Sequence, residues 1–269
     1  ELDEKFMKYV LITGAAGGMG NKTAMYLAAQ GFCVFAMDRV AVAAQKNIIP
    51  LQCDITDEAC VQAAVQAVKK ETDVLYAILH FAGIYTLDSF VEIETERFQH
   101  ILQVNLLGAF LVNKFFMPLL HRGSRIIITT SELAPLAPLP FTGIYAVSKT
   151  ALDRYAYALQ MELQLLGISV SVTRAGAVAT DMLDASVAAL NQFCKKTKLY
   201  SCNAARFQKI VASVESRRVP AQKIAQKAAC ILQKKHPKFA YAFNRNPLLI
   251  LMNILPQPMQ FYLIRRILR

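Results

Sequence analysis

Short apolar runs alternate with longer amphipathic stretches along most of this 269-residue chain. The runs are rich in β-branched residues, as buried strands are, and the stretches between them have the length and periodicity of helices. Strands are predicted at 9–13, 33–38, 48–52, 74–80, 125–130, 168–173 and, as a last edge strand, 239–243. Helices are predicted from the glycine-rich turn after residue 13 to about residue 30, and over 57–70, 94–120 and 144–166.

Strands that alternate with helices of this length pair in parallel through right-handed crossovers. The pattern therefore predicts an α/β fold, a Rossmann-type doubly wound parallel sheet of about seven strands with helices on both faces. One such domain is expected over residues 7–243, followed by an apolar, basic C-terminal extension at 244–269. Sheets of this kind bind ligands beyond the carboxyl ends of their strands.

Charge is distributed unevenly along the chain. Residues 1–193 hold 14 Lys and Arg against 18 Asp and Glu, whereas residues 194–269 hold 16 against a single acid, so the net charge of +11 belongs to the C-terminal quarter. Such a block suits an anionic membrane surface, an acidic ligand or nucleic acid, or consists simply of solvated helix faces. Nucleic acid is not expected, because the region lacks regular aromatic interleaving and any recognised binding module.

The six cysteines form no C-x-x-C pair and have no His partner at metal-ligand spacing. Neither a metal site nor a disulfide framework is expected, which indicates a reducing compartment. Residues 1–6, which contain no initiator Met, are expected to be added sequence or the remnant of a removed segment. No signal peptide or membrane span of about 20 residues is expected, so the predicted location is cytoplasmic or peripheral to a membrane.

A glycine-rich turn, Thr13-Gly14-Ala-Ala-Gly-Gly18-Met19-Gly20, directly follows the first predicted strand. Small residues there let the backbone approach a pyrophosphate, and the following helix offers its N-terminal amides. This placement predicts dinucleotide binding by Gly14, Gly18, Met19 and Gly20. The alternative is a turn with only a structural role.

Residues after the second and third strands bear on the choice of cofactor. Asp38 is placed to accept hydrogen bonds from ribose hydroxyls and to repel a 2′-phosphate, which favours NAD. Arg39 would instead attract that phosphate, so NADP remains an alternative. Asp54, followed by Ile55, is placed to meet the adenine, although capping the helix that begins near Asp57 is an equal alternative for Asp54.

Tyr145 and Lys149 are four residues apart in a predicted helix, so both project from one face. A neighbouring ammonium and an oxidised nicotinamide would both lower the phenol pKa from its reference value of about 10. Tyr145 would then exchange a proton with the substrate oxygen. A chance surface pair is the alternative.

Two polar residues give that pair its context. Ser131 lies at the end of the fifth strand, 14 residues before Tyr145, and its hydroxyl would bind the substrate oxygen. Asn105 lies inside the apolar stretch 101–116, where a buried amide needs partners. A satisfied core asparagine is the alternative for Asn105.

In order and approximate spacing, these residues resemble the short-chain dehydrogenase/reductase superfamily. The basic, apolar C-terminal tail is similar to that of its hydroxysteroid and retinol dehydrogenases. The resemblance covers about residues 7–243. It implies that Tyr145 is the acid/base and that Lys149 binds the nicotinamide ribose and tunes the tyrosine. It also implies that Ser131 polarises the carbonyl group and that Asn105 holds a proton-relay water.

The sequence departs from the superfamily at two turns. Residues 80–83 read H-F-A-G where the superfamily has N-N-A-G, and residues 175–176 read A-G in place of P-G. The first change removes the side-chain contacts of two asparagines. The positions that the resemblance still assigns to the cofactor at these turns are Ala82, Gly83, Val178 and Thr180.

The segment at about 181–219 matches the superfamily's substrate lid, and its length indicates a sizeable pocket. A helix near the C-terminus would be amphipathic and basic, which suits packing on the protein or peripheral membrane contact equally well. The apolar face of that helix would comprise Met259, Tyr262, Leu263 and Ile267, beside Arg265, Arg266 and Arg269.

We therefore expect an oxidoreductase that transfers a hydride between NAD(H) and a secondary alcohol or ketone on a small lipophilic, steroid- or retinoid-like substrate. The alternatives are an NADP-linked carbonyl reductase of acyl or xenobiotic ketones and a cofactor-binding sensor without turnover. A sensor would not need all four polar residues of the predicted site. A homo-oligomer is expected to form through the long helices near 94–120 and 144–166.

Overall fold

The computed structural model describes residues 7–215 and 217–269. The strands are β1 (Tyr9–Thr13), β2 (Cys33–Asp38), β3 (Ile48–Gln52), β4 (Ala77–His80), β5 (Arg125–Ser131), β6 (Ser169–Ala175), β7 (Val178–Ala179), β8 (Val219–Pro220) and β9 (Ala240–Phe243). Seven of them form one parallel sheet in the order β3-β2-β1-β4-β5-β6-β9. The predicted doubly wound parallel sheet is confirmed.

Helices cover both faces of this sheet. They are α1 (Gly18–Ala29), α2 (Glu58–Lys69), α3 (Thr95–Leu102), α4 (Gly108–Phe116), α5 (Gly143–Leu163), α6 (Asp181–Lys196), α7 (Ser201–Glu215), α8 (Ala221–Gln233), α9 (Pro247–Ile254) and α10 (Gln257–Leu268). Apolar side chains of α2, α4 and α5 form the core on one face, and those of α1 and α8 form the core on the other.

The strand order reverses between β1 and β4, and the turns that follow these two strands are packed together. Thr13 pairs with His80 at the ends of the strands, and the Phe81 N–H donates to the Thr13 carbonyl over 3.1 Å. Gly14 has a φ of +70°, and a Cβ on it would lie 2.5 Å from the Ala82 nitrogen. Only glycine fits there. The reversal leaves a crevice at the carboxyl edge of the sheet, where doubly wound folds bind ligands.

The long helices differ in detail from their predicted extents. The stretch predicted at 94–120 is α3 and α4 joined by a π-helical turn at Gln103–Leu107, and it ends in a 3₁₀ turn at Met117–Leu119. The wider π turn accommodates the buried Asn105 inside an apolar helix. β4 begins at Ala77 rather than residue 74, since the Leu75 N–H donates to the Leu119 carbonyl instead of joining the sheet.

By length and composition alone, the continuous helix Thr95–Leu119 is long and apolar enough to cross a bilayer, with a mean hydropathy of 1.3 over an 18-residue stretch. However, 44% of this stretch is buried inside the domain. Asn105 and Asn113 also hydrogen-bond to neighbouring elements within the fold. We therefore interpret it as a core helix.

Helices α6 and α7 occupy the predicted lid at 181–219 and pack against each other. A two-stranded parallel ladder closes the base of the lid, with Val178 opposite Val219 and Ala179 opposite Pro220. The apolar cluster beneath the lid comprises Leu87, Phe141, Leu190, Phe193, Ala204, Phe207 and Leu268.

The C-terminal extension folds back onto this lid. Leu268 of α10 is buried in the lid cluster with Ile264 beside it, and the Asn203 side chain donates to the Leu268 carbonyl over 2.7 Å. The predicted apolar face is not the one that packs on the lid, because its Met259, Tyr262 and Ile267 are 50%, 61% and 52% exposed. One face of α10 therefore packs on the protein while a second apolar face stays open. Residues 1–6 lie outside the described range.

Candidate active site

The glycine-rich turn leads directly into α1. Gly17 precedes the helix, which has neither a capping side chain nor an acidic residue in its first turn. The first amides of a helix without such partners attract anions. Gly20 allows the turn to close, because a Cβ there would lie 2.1 Å from the Gly14 carbonyl oxygen.

A cleft of about 180 Å³ runs from this turn along the carboxyl edges of β2 and β3. Asp38 lies at its wall, where Oδ2 accepts from the Ala16 N–H over 2.9 Å and Oδ1 accepts from the Val40 N–H over 3.1 Å. The carboxylate is thus fixed beside the glycine turn. The predicted cofactor-binding residues that line this cleft are Gly14, Asp38, Arg39, Asp54, Ile55, Ala82 and Gly83.

One of the two predicted roles of Asp54 was to cap α2, and the structure shows that it does not. Its carboxylate accepts from the Thr56 N–H and hydroxyl, over 2.8 and 2.7 Å. These hydrogen bonds hold the pKa of Asp54 below its usual range. Asp57 caps α2 instead, by accepting from the Ala59 and Cys60 amides. Asp54 is left as an anion at the cleft wall.

Tyr145 and Ser131 meet at the inner end of a second cavity, also of about 180 Å³. The Ser131 hydroxyl is hydrogen-bonded to Tyr145. Burial raises the pKa of Tyr145 to about 12, and this hydrogen bond opposes the rise. Desolvation of the phenol is the largest cause of this rise. The lowering expected from Lys149 together with an oxidised nicotinamide stays a prediction.

Lys149 lies one helical turn after Tyr145, and its Nζ is 5.9 Å from the centre of the tyrosine ring. Nζ donates to the Thr129 carbonyl over 3.2 Å. Burial lowers the pKa of Lys149 to about 8. A Cβ on Gly83 would lie 3.3 Å from Nζ, so the lysine reaches the turn after β4 as well as the tyrosine.

Asn105 satisfies its own polar atoms and also links two parts of the site. Its Oδ1 accepts from the Ile84 N–H over 2.8 Å, and its Nδ2 donates to the Ile84 carbonyl and to the Ser148 hydroxyl. The side chain therefore fixes the turn after Gly83 against α5. Asn105 is thus a buried asparagine whose polar atoms are hydrogen-bonded, as one of its two predicted alternatives stated. It also borders the predicted site, because a Cβ on Gly83 would lie 3.2 Å from its Oδ1.

The other predicted residues lie between the two cavities. Val178, Thr180 and Met19 line the cavity of Tyr145. Thr180 packs on the glycine turn, since a Cβ on Gly18 would be 2.8 Å from its Cγ2. Met182, at the start of the lid, borders both cavities. A ligand that extends from Asp38 to Tyr145 would thus pass between the glycine turn and the lid.

His80 replaces an asparagine of the superfamily but points away from the crevice. Its Nε2 lies 2.9 Å from Asn113 Oδ1, and Asn113 Nδ2 donates to the Tyr155 hydroxyl over 3.1 Å. Burial lowers the pKa of His80 to about 4, so the ring is neutral. It joins β4 to α4 and α5 within the core.

Sequence reasoning missed three polar or aromatic residues of the site. Tyr85 lies with its ring centre 4.3 Å from that of Tyr145, and Glu132 lines the same cavity. Arg174 forms a bidentate pair with Asp153, over 2.9 and 2.8 Å, one turn beyond Lys149. A charged residue directly after the predicted Ser131 was the available signal for Glu132. No local sequence pattern indicated that Arg174 of β6 pairs with Asp153 of α5.

Residues 8–191 match the family model of the short chain dehydrogenases. This match covers more than half of the chain. The protein belongs to the short-chain dehydrogenase family. Its predicted catalytic residues all fall within the matched range.

Relatives of this short-chain dehydrogenase include enzymes of different substrate classes. The NADPH-dependent 1-acyldihydroxyacetone phosphate reductase of Schizosaccharomyces pombe is 31% identical over 179 residues, or 64% of this chain and 60% of that protein. The 17-beta-hydroxysteroid dehydrogenase type 6 of Homo sapiens is 30% identical over 185 residues, or 65% of this chain and 58% of that protein. The chain thus spans less than two thirds of either relative.

The solved structure of a short-chain dehydrogenase from Streptomyces avermitilis superposes with a TM-score of 0.75. It covers 89% of both chains at 18% identity. At this identity the likeness concerns the fold alone.

Proposed function

We propose that this protein is an NAD(H)-dependent oxidoreductase of secondary alcohols and ketones, with Tyr145 as its proton-transfer residue. The observation that carries the proposal is the meeting of Ser131 and Tyr145 in one cavity, with Lys149 buried behind the tyrosine. Chance would not bring a hydroxyl pair and a buried ammonium to the carboxyl edge of a doubly wound sheet, beside a glycine turn.

The chain's own residues divide the work of such a reaction. A nicotinamide held in the crevice would supply or accept the hydride. In reduction, Tyr145 donates its proton to the substrate oxygen, which Ser131 holds by a hydrogen bond; in oxidation, Tyr145 takes the proton back. Lys149 binds the nicotinamide ribose and offsets negative charge that forms on the tyrosine oxygen. Asn105 fixes the turn at Ile84 that borders the lysine.

The residues present fit a dinucleotide along the whole crevice. The uncapped start of α1 suits the pyrophosphate, and the cleft from Asp38 to Asp54 suits the adenosine. Val178 and Thr180 line the cavity of Tyr145, where they would face the nicotinamide. Asp38 supports a preference for NAD, because its fixed carboxylate would repel a 2′-phosphate.

The cavity around Tyr145 supports a lipophilic substrate. Its wall beyond the site is made mainly of apolar side chains from the lid, the loop after β5 and α9. The apolar lining residues include Leu133, Leu139, Leu183, Phe207, Val211 and Leu249. The steroid dehydrogenase among the relatives supports a substrate of that class.

Exposed apolar residues on the long helices support a homo-oligomer. They lie on the π-helical turn before α4, on α4 and on α5, where burial by a second copy would remove them from water. They are Leu107, Phe110, Val147, Tyr157 and Met161.

The open face of the C-terminal extension supports peripheral contact with an anionic membrane that faces a reducing compartment. Leu248, Leu251 and Ile254 of α9 are exposed, and Leu249 on the same helix lines the substrate cavity. A lipophilic substrate would thus reach the cavity from the surface on which this helix rests.

A turnover screen tests the function. Steroids, retinoids, bile acids and acyl ketones would each be offered with NAD(H) and with NADP(H), and the change in nicotinamide fluorescence followed. Turnover of a lipophilic alcohol or ketone that Tyr145→Phe abolishes is the expected result. Cofactor binding without turnover of any class would contradict it and leave the sensor alternative.

An NADP-linked carbonyl reductase is the second candidate. Arg39 lines the adenosine cleft beside Asp38, and the fission-yeast relative is NADPH-dependent. Higher kcat/KM with NADPH than with NADH in the same screen would select this candidate.

A further inference from the structure

Glu132 is a buried carboxylate in the wall of the substrate cavity, directly after Ser131 in the chain. It is only 7% exposed. Its Oε2 accepts a 2.6 Å hydrogen bond from the Asn246 N–H, at the start of the C-terminal extension. Among the ion pairs of the described residues, none involves Glu132.

The second oxygen of Glu132 points toward Gly176. A Cβ on Gly176 would lie 3.0 Å from Oε1, and both residues line the cavity. The bare backbone of Gly176 thus leaves room for Oε1 at the cavity wall.

A carboxylate in this position is costly without a partner. Removing it from water requires compensating hydrogen bonds or an opposite charge, and one backbone amide supplies only part of that. Burial raises the pKa of Glu132, and the hydrogen bond from Asn246 and the charge of Arg245 oppose the rise. The Glu132 carboxylate can therefore still accept a hydrogen bond from a donor on a ligand in the cavity.

The rest of the cavity wall shows which kind of donor fits. Among the described lining residues, no other carries a formal charge, since they are apolar, hydroxyl-bearing, glycine or amide residues. Within that part of the wall, Glu132 is therefore the single charged group, and it is negative. A cation is the ligand group that this wall attracts most strongly.

We propose that Glu132 is a specificity-determining residue that binds an ammonium group carried by a lipophilic alcohol or ketone substrate. The proposal rests on the proposed function, in that the same cavity holds the reacting carbon of the substrate at Ser131 and Tyr145. Glu132, Ser131 and Tyr145 line the same cavity, so one substrate can present its ammonium to Glu132 and its reacting carbon to the hydroxyl pair. Lipophilic amino alcohols and amino ketones are the substrate class that this arrangement selects.

A matched pair of ligands tests the proposal. One is a long-chain secondary alcohol with a dimethylammonium group on the carbon beside the carbinol, and the other carries an isopropyl group there, which has the same shape without charge. Binding of each is measured by calorimetry in the presence of NAD, together with its oxidation rate. The expected result is a preference for the ammonium compound of about tenfold or more in Kd, as a charge-assisted hydrogen bond provides.

The variant Glu132→Gln removes the charge but keeps an oxygen that accepts from Asn246. It should abolish the preference by weakening the ammonium compound alone. Glu162→Gln, an exposed position on α5, is the matched control and should change neither compound.

Absence of the preference in the unaltered protein would overturn the proposal, whatever the variants do. Equal weakening of both compounds by Glu132→Gln, with a lower melting temperature, would also overturn it and assign Glu132 to anchoring the extension. A retained preference in binding without oxidation of either compound would leave the ammonium site standing and count against the proposed function instead.

Discussion

Lys149 Nζ donates a hydrogen bond to the carbonyl oxygen of Thr129, 3.2 Å away and two residues before Ser131 on β5. This contact joins the helix that carries Tyr145 to the strand that carries Ser131. The meeting of the two hydroxyls therefore depends on a buried ammonium. Any change that removes this ammonium acts on the geometry of the site as well as on its charge.

Tyr145→Phe should lower kcat by about 10²-fold or more, because it deletes the group that exchanges the proton. The ring would still pack against Tyr85, so cofactor affinity, measured by titration of nicotinamide fluorescence, should stay nearly unchanged. A variant that retains the original kcat on the true substrate would refute the assignment.

The pH dependence of ketone reduction should follow Lys149. Burial lowers its pKa to about 8, so the ammonium is lost as the pH rises through that value. Tyr145, with a pKa raised to about 12, keeps its proton over the same range. The value of kcat/KM should thus be constant at pH values below about 8 and should fall as the pH rises above about 8. A profile that stays flat up to pH of about 10, where an ordinary lysine titrates, would contradict this role.

Asp38→Asn should relax the preference for NAD. The amide oxygen can still accept from the Ala16 N–H, so the glycine turn should keep its shape while the repulsion of a 2′-phosphate disappears. The ratio of kcat/KM for NAD to that for NADP should fall by about tenfold or more, as expected for the loss of one close charge interaction. If the unaltered protein already uses NADP as well as NAD, this account of Asp38 is wrong.

The buried pair of Asp153 and Arg174 should matter more for stability than for chemistry. Arg174→Met leaves the carboxylate of Asp153 without its cation, and only 8% of that side chain is exposed. The free energy of unfolding, measured in urea, should fall by about 3 kcal/mol or more. Adding Asp153→Asn should recover part of the loss, since no unpaired buried charge then remains. Additive losses in the two variants would show that they do not act as a pair.

The basic residues of α10 should contribute to membrane affinity if the extension rests on lipid. Arg265→Gln with Arg266→Gln should weaken sedimentation with anionic vesicles by about 2 kcal/mol, since each basic residue near the surface adds about 1 kcal/mol. The effect should fade with salt. Lys234→Gln with Lys235→Gln, just after α8, is the matched control. If the unaltered protein does not sediment with vesicles and Leu268→Ala lowers its thermal stability, the extension serves only to pack on the protein.

The parts of the site that lie close together in the chain were the ones that sequence predicted. The glycine turn of β1 and α1 is one continuous segment, and Tyr145 and Lys149 are separated by a single helical turn. Such local spacing is set by backbone geometry, which does not depend on the rest of the fold.

The properties that depend on distant segments could not be predicted in this way. Asn105 is held by Ile84 and Ser148, which lie 21 and 43 residues away. Glu132 is buried by a contact with Asn246, 114 residues later. The pKa of Tyr145 is a further example, because it is raised by burial in the folded domain, which local spacing does not show.

The short ladder of β7 and β8 brings the two ends of the lid side by side. A segment whose ends already meet can change in length at little cost in loop-closure entropy, because each doubling of a closed loop costs only about 0.6 kcal/mol. The sheet and the hydroxyl pair lie outside this loop. Replacing residues 181–215 with segments of other lengths should thus yield enzymes that share one reaction and differ in the size of the substrate they accept. The ladder is therefore a natural boundary at which evolution or engineering can exchange one lid for another.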